Sequence, residues 1–599
     1  MTMIDIADYD RTKIRITADY RWKEVIREIP GAGWDKTHST WDVPLSWSSC
    51  VALREVFAGD LDIARDLGKW ARDYRATKII PGSELREATE FELEDEDDLF
   101  PYQRADVAFL STLERAMLFS DMGTGKTCSA IRSMRKLARD GKRPWPALVV
   151  APNSTKLEWK RQFEKWWPGV KVMVVKGTAV QRRKILETPA HVYVINYEAL
   201  RSHSRIAPYG ANALRRCAEC GGEDPSVTVS RCQVHQRELN KIDFRLVIAD
   251  EAHRVKDASS LTARALKAAS GDAPFRFALT GTPIAHNVMD LWSILNWLEP
   301  AEFPGKVKYQ ERMCNILYNV FGGMEVAGLK PEREKEFHTT VDFRMRRMTK
   351  DVVLPFLPPV IPERRDVEMS NKQAKAYKDI STSMVAEMAD GTMLTAGTGL
   401  ISAIRLLQLA SAYGTVDLVP KPDGTVSERL ILSDPSSKVD AFMDDIPDFG
   451  ENQVAVFAVS RQLIELLSAR MTAAGVEHGL ITGAIDEDER QRHMDEFQDG
   501  KTQFILCTIG AGGTGITLTA ANTRVFLQRS WSSIEMAQAK DRTRRIGSEQ
   551  HMWISHIDYV TPGTIEEAVV AVLDGKIATM EEILRDAELF AKAVVGKVA

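Results

Sequence analysis

Five short apolar runs in the first half of the chain each stop at a polar or glycine-bearing turn: "AMLF", "ALVVAP", "VYVINY", "FRLVIADE" and "FRFALTGTP". Between them lie longer stretches with apolar residues at helical spacing, such as Ile131, Met134 and Leu137 after Thr127. Buried strands alternating with amphipathic helices predict a parallel α/β sheet with its functional residues at the C-terminal strand ends. The alternation returns in "VAVFAV", "FILCTI", "TRVFLQ" and "WISHID". Between the two series, from Glu311 to Pro420, the pattern reads as helical and Pro-interrupted. Ahead of both, up to Ala76, a small α+β unit is expected. Ile14 and Ile16 alternate like a strand, and Trp22, Val25, Ile26 and Ile29 have helical spacing. "PGAGWDK" reads as a turn and "TWDVPL" as a short strand.

The expected fold is therefore α/β: two tandem lobes with parallel sheets, a helical segment between them and an α+β domain in front. The domains read as 1–80, an α+β module; 81–99, an acidic linker; 100–310, the first lobe, with an insertion at 210–240; 311–430, a helical connection; 431–575, the second lobe; and 576–599, a C-terminal helix. The acidic run "ELREATEFELEDEDD" reads as a solvated linker, with an acidic mimic of nucleic acid as the sharper alternative.

The 599 residues are 44% hydrophobic and 27% charged, ordinary for a globular protein. No apolar run is long enough to cross a bilayer, and "MTMIDIADYDRTK" has no signal-peptide core. An intracellular protein without a membrane partner is expected, cytoplasmic in a prokaryote or virus and nuclear in a eukaryote. A net charge of -5 neither requires nor excludes nucleic acid, because phosphates are met by local basic grooves. Cys50, Cys128, Cys314 and Cys507 stand alone among apolar or helical neighbours and read as reduced core residues.

Phosphate chemistry is the reading of "FSDMGTGKTCSA". A strand, a turn with Gly123, Thr124 and Gly125, and a helix N-terminus form an anion cradle of backbone N–H groups. Lys126 adds a cation for the β and γ phosphates, and the Thr127 hydroxyl is a Mg²⁺ ligand. Ser120 stands where glycine or alanine is usual. In "VIADEAH" a strand ends in two carboxylates. Asp250 suits Mg²⁺, and Glu251 suits the base that orients an attacking water. In the second lobe, "QAKDRTRRIGS" spaces Arg542 and Arg545 three apart, so on a helix they share a face. Arginines brought from another lobe stabilise charge on a transferred phosphoryl group. A solvated basic helix is the plain alternative. "TIGAGGTGITLTAAN" precedes them, with glycines including Gly515 that let backbone approach a phosphate or a facing lobe.

The ordered set resembles superfamily 2 helicase-like motors, specifically the Swi/Snf-type ATPases. "PYQRADVAFL" is similar to that family's adenine-reading segment, with Gln103 as reader; "DMGTGKT" and "DEAH" are similar to its first two motifs. "LTGTP" resembles its coupling motif, "RMRRMTKDVVLPFLPP" the basic segment between the lobes, and "AGGTGITLTAAN" and "QAKDRTRRIG" the last two motifs. Arg544 and Ser548 depart from the histidine and glutamine common there. The resemblance covers Phe100 to Gly575 and implies RecA-like lobes, ATP and Mg²⁺ as cofactors, and translocation on DNA without conventional unwinding. The first stretch, "ITADYRWKEVIREIPGAGWDKTHSTWDVPL", resembles the HARP module of annealing helicases, which implies fork remodelling or strand annealing. A generic accessory fold is the alternative. Trp34 and Trp41 read as core residues that could instead stack on a base.

"CAECGGEDPSVTVSRCQVH" sets Cys217-x2-Cys220 before Cys232-x2-His235, the spacing of a tetrahedral structural Zn²⁺ site. Unliganded cysteines in an insertion are the alternative. The expected activity is a nucleic-acid-stimulated ATPase that moves along duplex or branched DNA as a monomer, with single-strand-binding or repair proteins as partners. A strand-separating helicase on DNA or RNA and an ATP-switched clamp are the other readings. Removal of the first residues, to about position 80, is expected to spare basal ATPase but weaken fork preference.

Overall fold

The computed structural model describes residues 2–94, 96, 98–206, 237–281, 288–318, 324–389, 404–420, 426–512, 516–567 and 569. The chain divides into two units, Met1–Val353 and Leu354–Ala578.

The first unit opens with β1 (Thr2–Ile6), β2 (Lys13–Thr17), β3 (Gly33–Asp35), β4 (Thr40–Pro44) and β5 (Leu61–Ile63), in the order β3-β4-β2-β1-β5. Strand alternation turns Ile14 and Ile16 inward, and they pack with Ile26, Leu53 and Phe57 in this domain's own core. Trp34 departs from the core reading: it is 49% exposed and meets Trp41 edge-on.

The expected boundary at residue 80 moves. Helix Arg65–Tyr74, a π-helical turn and helix Ile80–Glu87 follow one another without a break. A Cβ on Gly82 would stand 2.5 Å from Phe343 O, so this helix lies flush on the first lobe. The docking is polar as well. Glu302 of the lobe accepts hydrogen bonds from Trp47 N, Ser48 N and the Ser48 hydroxyl, at 2.8–2.9 Å. A carboxylate at a helix N-terminus answers both orphan N–H groups and the helix dipole. Arg344 completes the junction, 3.1 Å from Glu302 and donating to Tyr74 Oη at 2.7 Å. The acidic run is mostly exposed, and the solvated-linker reading changes at Glu96. Glu96 is 1% exposed, and with Asp98 it pairs Arg132 on helix Lys126–Arg139.

The first lobe's sheet contains β6 (Arg115–Leu118), β7 (Ala147–Ala151), β8 (Val172–Val174), β9 (Val192–Asn196), β10 (Leu246–Asp250) and β11 (Phe275–Leu279). A hairpin, β12 (Cys314–Tyr318) and β13 (Met324–Leu329), precedes the edge strand β14 (Met345–Arg346). All pairs in the order β14-β6-β11-β10-β7-β9-β8 are parallel. The apolar runs are buried on both faces, as a helix-covered parallel sheet requires.

The second unit holds β15 (Val360–Asp366), a hairpin of β16 (Tyr413–Pro420) and β17 (Val426–Ser433), then β18 (Val454–Ala458), β19 (His478–Ile481), β20 (Phe504–Thr508), β21 (Thr523–Phe526) and β22 (Ile554–Val560). Its main sheet runs β15-β22-β21-β18-β20-β19, again parallel throughout. Two RecA-like lobes in tandem are thus the architecture. The helical connection expected at 311–430 is corrected in part: beside helices Glu334–Val341 and Asn371–Ala389 it contains β12, β13, β14, β15, β16 and the start of β17. β15 escaped the hydrophobic pattern because "VIPERRD" is a mostly exposed, charged edge strand. The C-terminal helix expected at 576–599 and the insertion bearing Cys217, Cys220, Cys232 and His235 lie outside the described residues. Cys50, Cys128, Cys314 and Cys507 are free thiols, and burial pushes Cys128 and Cys314 up to about 12.

Candidate nucleotide site

The phosphate loop sits between β6 and helix Lys126–Arg139, at the C-terminal edge of the first sheet. Gly123 and Gly125 have φ of 76° and 83°, the left-handed region that glycine enters at little cost. A Cβ on Gly125 would run into Gln103 Nε2. Gln103 itself is buried: its Oε1 accepts from Phe100 N at 3.1 Å and its Nε2 donates to Thr124 O at 3.1 Å. Tyr102 Oη donates to the same carbonyl at 2.8 Å. The helix bearing both side chains thereby fixes the loop from behind. Lys126 Nζ donates to Ser120 O and Asp121 O, at 2.7 and 2.9 Å, and so lies across the mouth of the loop. Thr127 is half-buried in the first turn of the helix.

Ser120, the departure from the usual glycine, has a structural use. Its hydroxyl oxygen accepts from Met348 N at 3.2 Å. The segment after β14 continues the ladder along the loop: Phe119 N donates to Arg346 O, Asp121 N to Met348 O, and Lys350 N to Asp121 Oδ2. Arg346, fully buried, pairs Asp106 at 2.6 Å, and Ser129 donates to the other oxygen of that carboxylate. The basic run "RMRRMTK" thus contributes two almost fully buried arginines, Arg344 and Arg346, that brace the phosphate loop and the N-terminal junction. Sequence reading missed this, since charged residues in a run ordinarily mark a solvated face.

Asp250 ends β10, across the sheet from the loop. Trp159 Nε1 donates to its Oδ2 at 2.8 Å, and Tyr197 Oη donates to its backbone oxygen at 2.5 Å. Burial first, and then the Glu251 carboxylate, push Asp250 above the usual carboxylate range. A buried carboxylate whose charged form is disfavoured is suited to a cation, which would supply the missing compensation. Helical spacing marks Trp159 as core, and nothing in the sequence signals its bond to Asp250.

Glu251 follows at φ 52°, a conformation costly for a side-chain-bearing residue. The bend turns its carboxylate toward Thr280, whose Oγ1 donates to Glu251 Oε2 at 3.4 Å. His253 Nδ1 lies 3.0 Å from Thr280 Oγ1 and 3.3 Å from Glu251 Oε2. "DEAH" and "LTGTP" therefore meet at their side chains. A Cβ on Gly281 would press on Met122 Cγ at 2.7 Å, so the same motif also abuts the phosphate loop.

In the second unit Arg542 and Arg545 are not on a helix, as their spacing suggested. Helix Ser533–Lys540 ends before them, and they occupy the turn that follows. The turn nevertheless brings them together: Nη1 of each donates to Ile516 O at 3.2 Å. Arg542 is 5% exposed, and Arg545 also bonds Asp541. Gly515 lies outside the described residues.

The chain is similar to known proteins over most of its length. The SNF2-related domain matches residues 102–410, and the helicase conserved C-terminal domain matches residues 438–547. The chain is 26% identical over 490 residues to the ISWI chromatin-remodeling complex ATPase ISW1 of Saccharomyces cerevisiae, covering 79% of this chain and 39% of that protein. It is 27% identical over 593 residues to Protein CHROMATIN REMODELING 5 of Arabidopsis thaliana, covering 95% and 32%. An uncharacterized ATP-dependent helicase of Mycoplasma genitalium is 26% identical over 505 residues, covering 83% and 43%. The chain thus spans less than half the length of these relatives. Among solved structures, the Sulfolobus solfataricus SWI2/SNF2 ATPase core in complex with dsDNA is 21% identical, with 84% of this chain and 99% of that one covered at a TM-score of 0.37. No helix among the described residues is long and apolar enough to cross a membrane. The SNF2-related match alone spans more than half of the residues, and the chain belongs to the SNF2-related family.

Proposed function

We propose that the chain is an ATP-driven DNA translocase acting on duplex or forked DNA. The observation that carries this reading is the convergence of Lys126, Asp250 and Glu251 on one sheet edge, with the Glu251 carboxylate tied to Thr280. ATP is the substrate. Its phosphates lie on the Gly123–Thr127 cradle, where Lys126 exchanges its two carbonyl partners for phosphate oxygens. Gln103, beside the loop, is the reader of the purine edge. Thr127 and Asp250 would hold Mg²⁺, which would offset the negative charge of the phosphates. Glu251 takes the proton of the attacking water, held in line by Thr280 and His253. Arg542 and Arg545 supply positive charge to the γ-phosphoryl group in the transition state.

DNA is held mainly through its backbone, so hydrolysis moves the motor regardless of base sequence. The N-terminal module biases the motor toward branched DNA, in strand annealing or fork remodelling, with single-strand-binding or repair proteins as partners. Cys217, Cys220, Cys232 and His235 would hold a structural Zn²⁺, which metal analysis of the purified chain would detect. The test of the function is ATPase rate with duplex, forked and single-stranded DNA and with RNA. Strongest stimulation by forked or duplex DNA supports the reading. Stimulation by RNA alone overturns it. Triplex displacement on duplex DNA separates a motor from an ATP-switched clamp.

A further inference from the structure

The interior of the second sheet carries charge for which nucleotide binding has no direct use. Arg524 in β21 is 4% exposed, and His556 in β22 is 5% exposed. The two are cross-strand partners. Arg524 Nε donates to His556 Nδ1 at 3.0 Å. That bond requires a lone pair on Nδ1, which places the ring proton on Nε2. Nε2 lies 3.0 Å from Asp558 Oδ2, a close polar contact whose angle falls short of a hydrogen bond. Arg529 closes the chain of contacts, donating from Nε to Asp558 Oδ1 at 2.9 Å and from Nη2 to Oδ2. Burial lowers the proton affinity of His556 to about 4, which keeps the ring neutral at pH 7.

The other end of Arg524 reaches the arginine turn. Its Nη1 donates to Lys540 O and to Thr543 Oγ1, the latter at 3.3 Å. Lys540 and Thr543 bracket Arg542. On the far side, Leu518 N donates to Arg542 O at 3.0 Å. The turn is therefore pinned from two directions, and one of them is a buried guanidinium. Well-packed apolar residues often replace buried ionic groups without loss of stability, so packing is a poor reason to put an arginine mid-strand. A guanidinium reaches two acceptors in one plane, which a hydrophobic side chain cannot do.

We propose that Arg529, Asp558, His556 and Arg524 form a positioning relay that holds the Lys540–Thr543 backbone so that Arg542 meets the transferring phosphoryl group. This rests on the reading of Arg542 as a transition-state residue. The relay touches the turn and never the substrate.

The test is steady-state ATPase of the full chain with saturating duplex DNA, alongside thermal melting. Arg542→Ala is the reference and is expected to lower kcat about 100-fold or more. Arg524→Met is expected to lower kcat about 10-fold or more while KM for ATP changes less than about 3-fold, the signature of an interaction made only in the transition state. Thr543→Val, which keeps the volume and removes the acceptor, carries the test if Arg524→Met does not fold, and is expected to lower kcat about 3-fold or more. His556→Gln retains an acceptor for Arg524 and is expected to recover most of the turnover lost in His556→Leu. Folded Arg524→Met and Thr543→Val proteins with kcat within about 2-fold of the parent, beside an inactive Arg542→Ala, overturn the relay and leave the arginine's role standing. Full turnover in Arg542→Ala overturns both. Equal loss in His556→Gln and His556→Leu, in melting temperature only, marks a packing role and overturns the relay.

Discussion

The phosphate loop of the first unit and the arginine turn of the second both present cations, and they are held in place by different means. Lys126 opens a helix behind two glycines of positive φ, so neighbouring residues give the loop its local shape, and the distant Tyr102, Gln103 and Met348 brace it from behind. Arg542 and Arg545 stand beyond the end of a helix, in a turn with short-range bonds from Arg542 N to Ala539 O and from Arg545 Nε to Asp541 Oδ2. The turn is also held by Ile516, Leu518 and Arg524, all distant in sequence. A cradle made of backbone N–H groups travels with its short motif. A turn that must aim side chains depends on the sheet behind it.

Lys126→Ala should cost most, because it removes the charge that the cradle is built around. ATPase should fall about 1,000-fold or more, with weakened nucleotide binding measured by a fluorescent analogue. Near-normal turnover would break the comparison at its first term. Glu251→Gln should lower kcat about 100-fold or more while nucleotide binding persists, since only the proton acceptor is lost. Loss of binding in that variant would show the carboxylate to be structural.

Truncation before residue 81 should no longer be taken as harmless. It strips Glu302 of its helix N-terminus and Arg344 of Tyr74, both buried. Breaking such a buried cluster costs about 3–5 kcal/mol, so melting of the remaining protein should drop clearly. An unchanged melting temperature would show the N-terminal domain to be an independent module. The smallest effect is expected from Ser120→Ala, which leaves Met348 N–H without its acceptor at about 1–3 kcal/mol. KM for ATP should rise severalfold with kcat little changed. A silent Ser120→Ala beside an impaired Thr543→Val would sharpen the contrast, making the loop self-sufficient and the turn dependent.

Much of the first site was readable in order along the chain. "DMGTGKT" and "DEAH" contain their own geometry: strand end, glycine, charge, helix start. What was not readable is what braces them. Trp159 resembles any core tryptophan, and Arg346 any surface arginine in a basic run, until the fold sets each beside a carboxylate. Among the described acidic residues of the run, Glu96 alone departs from the solvated reading, for the same reason. Glu96 becomes buried only because Arg132 stands on the facing helix.

The sequence by itself determined the two α/β lobes, the phosphate cradle and the pair of carboxylates, because hydrophobic period and glycine placement act over a few residues. Only the tertiary structure decided where the lobes divide, how the N-terminal domain is fastened and which buried charges pair. Those outcomes depend on groups far apart in sequence, whose desolvation is offset only when folding brings their partners within hydrogen-bond reach.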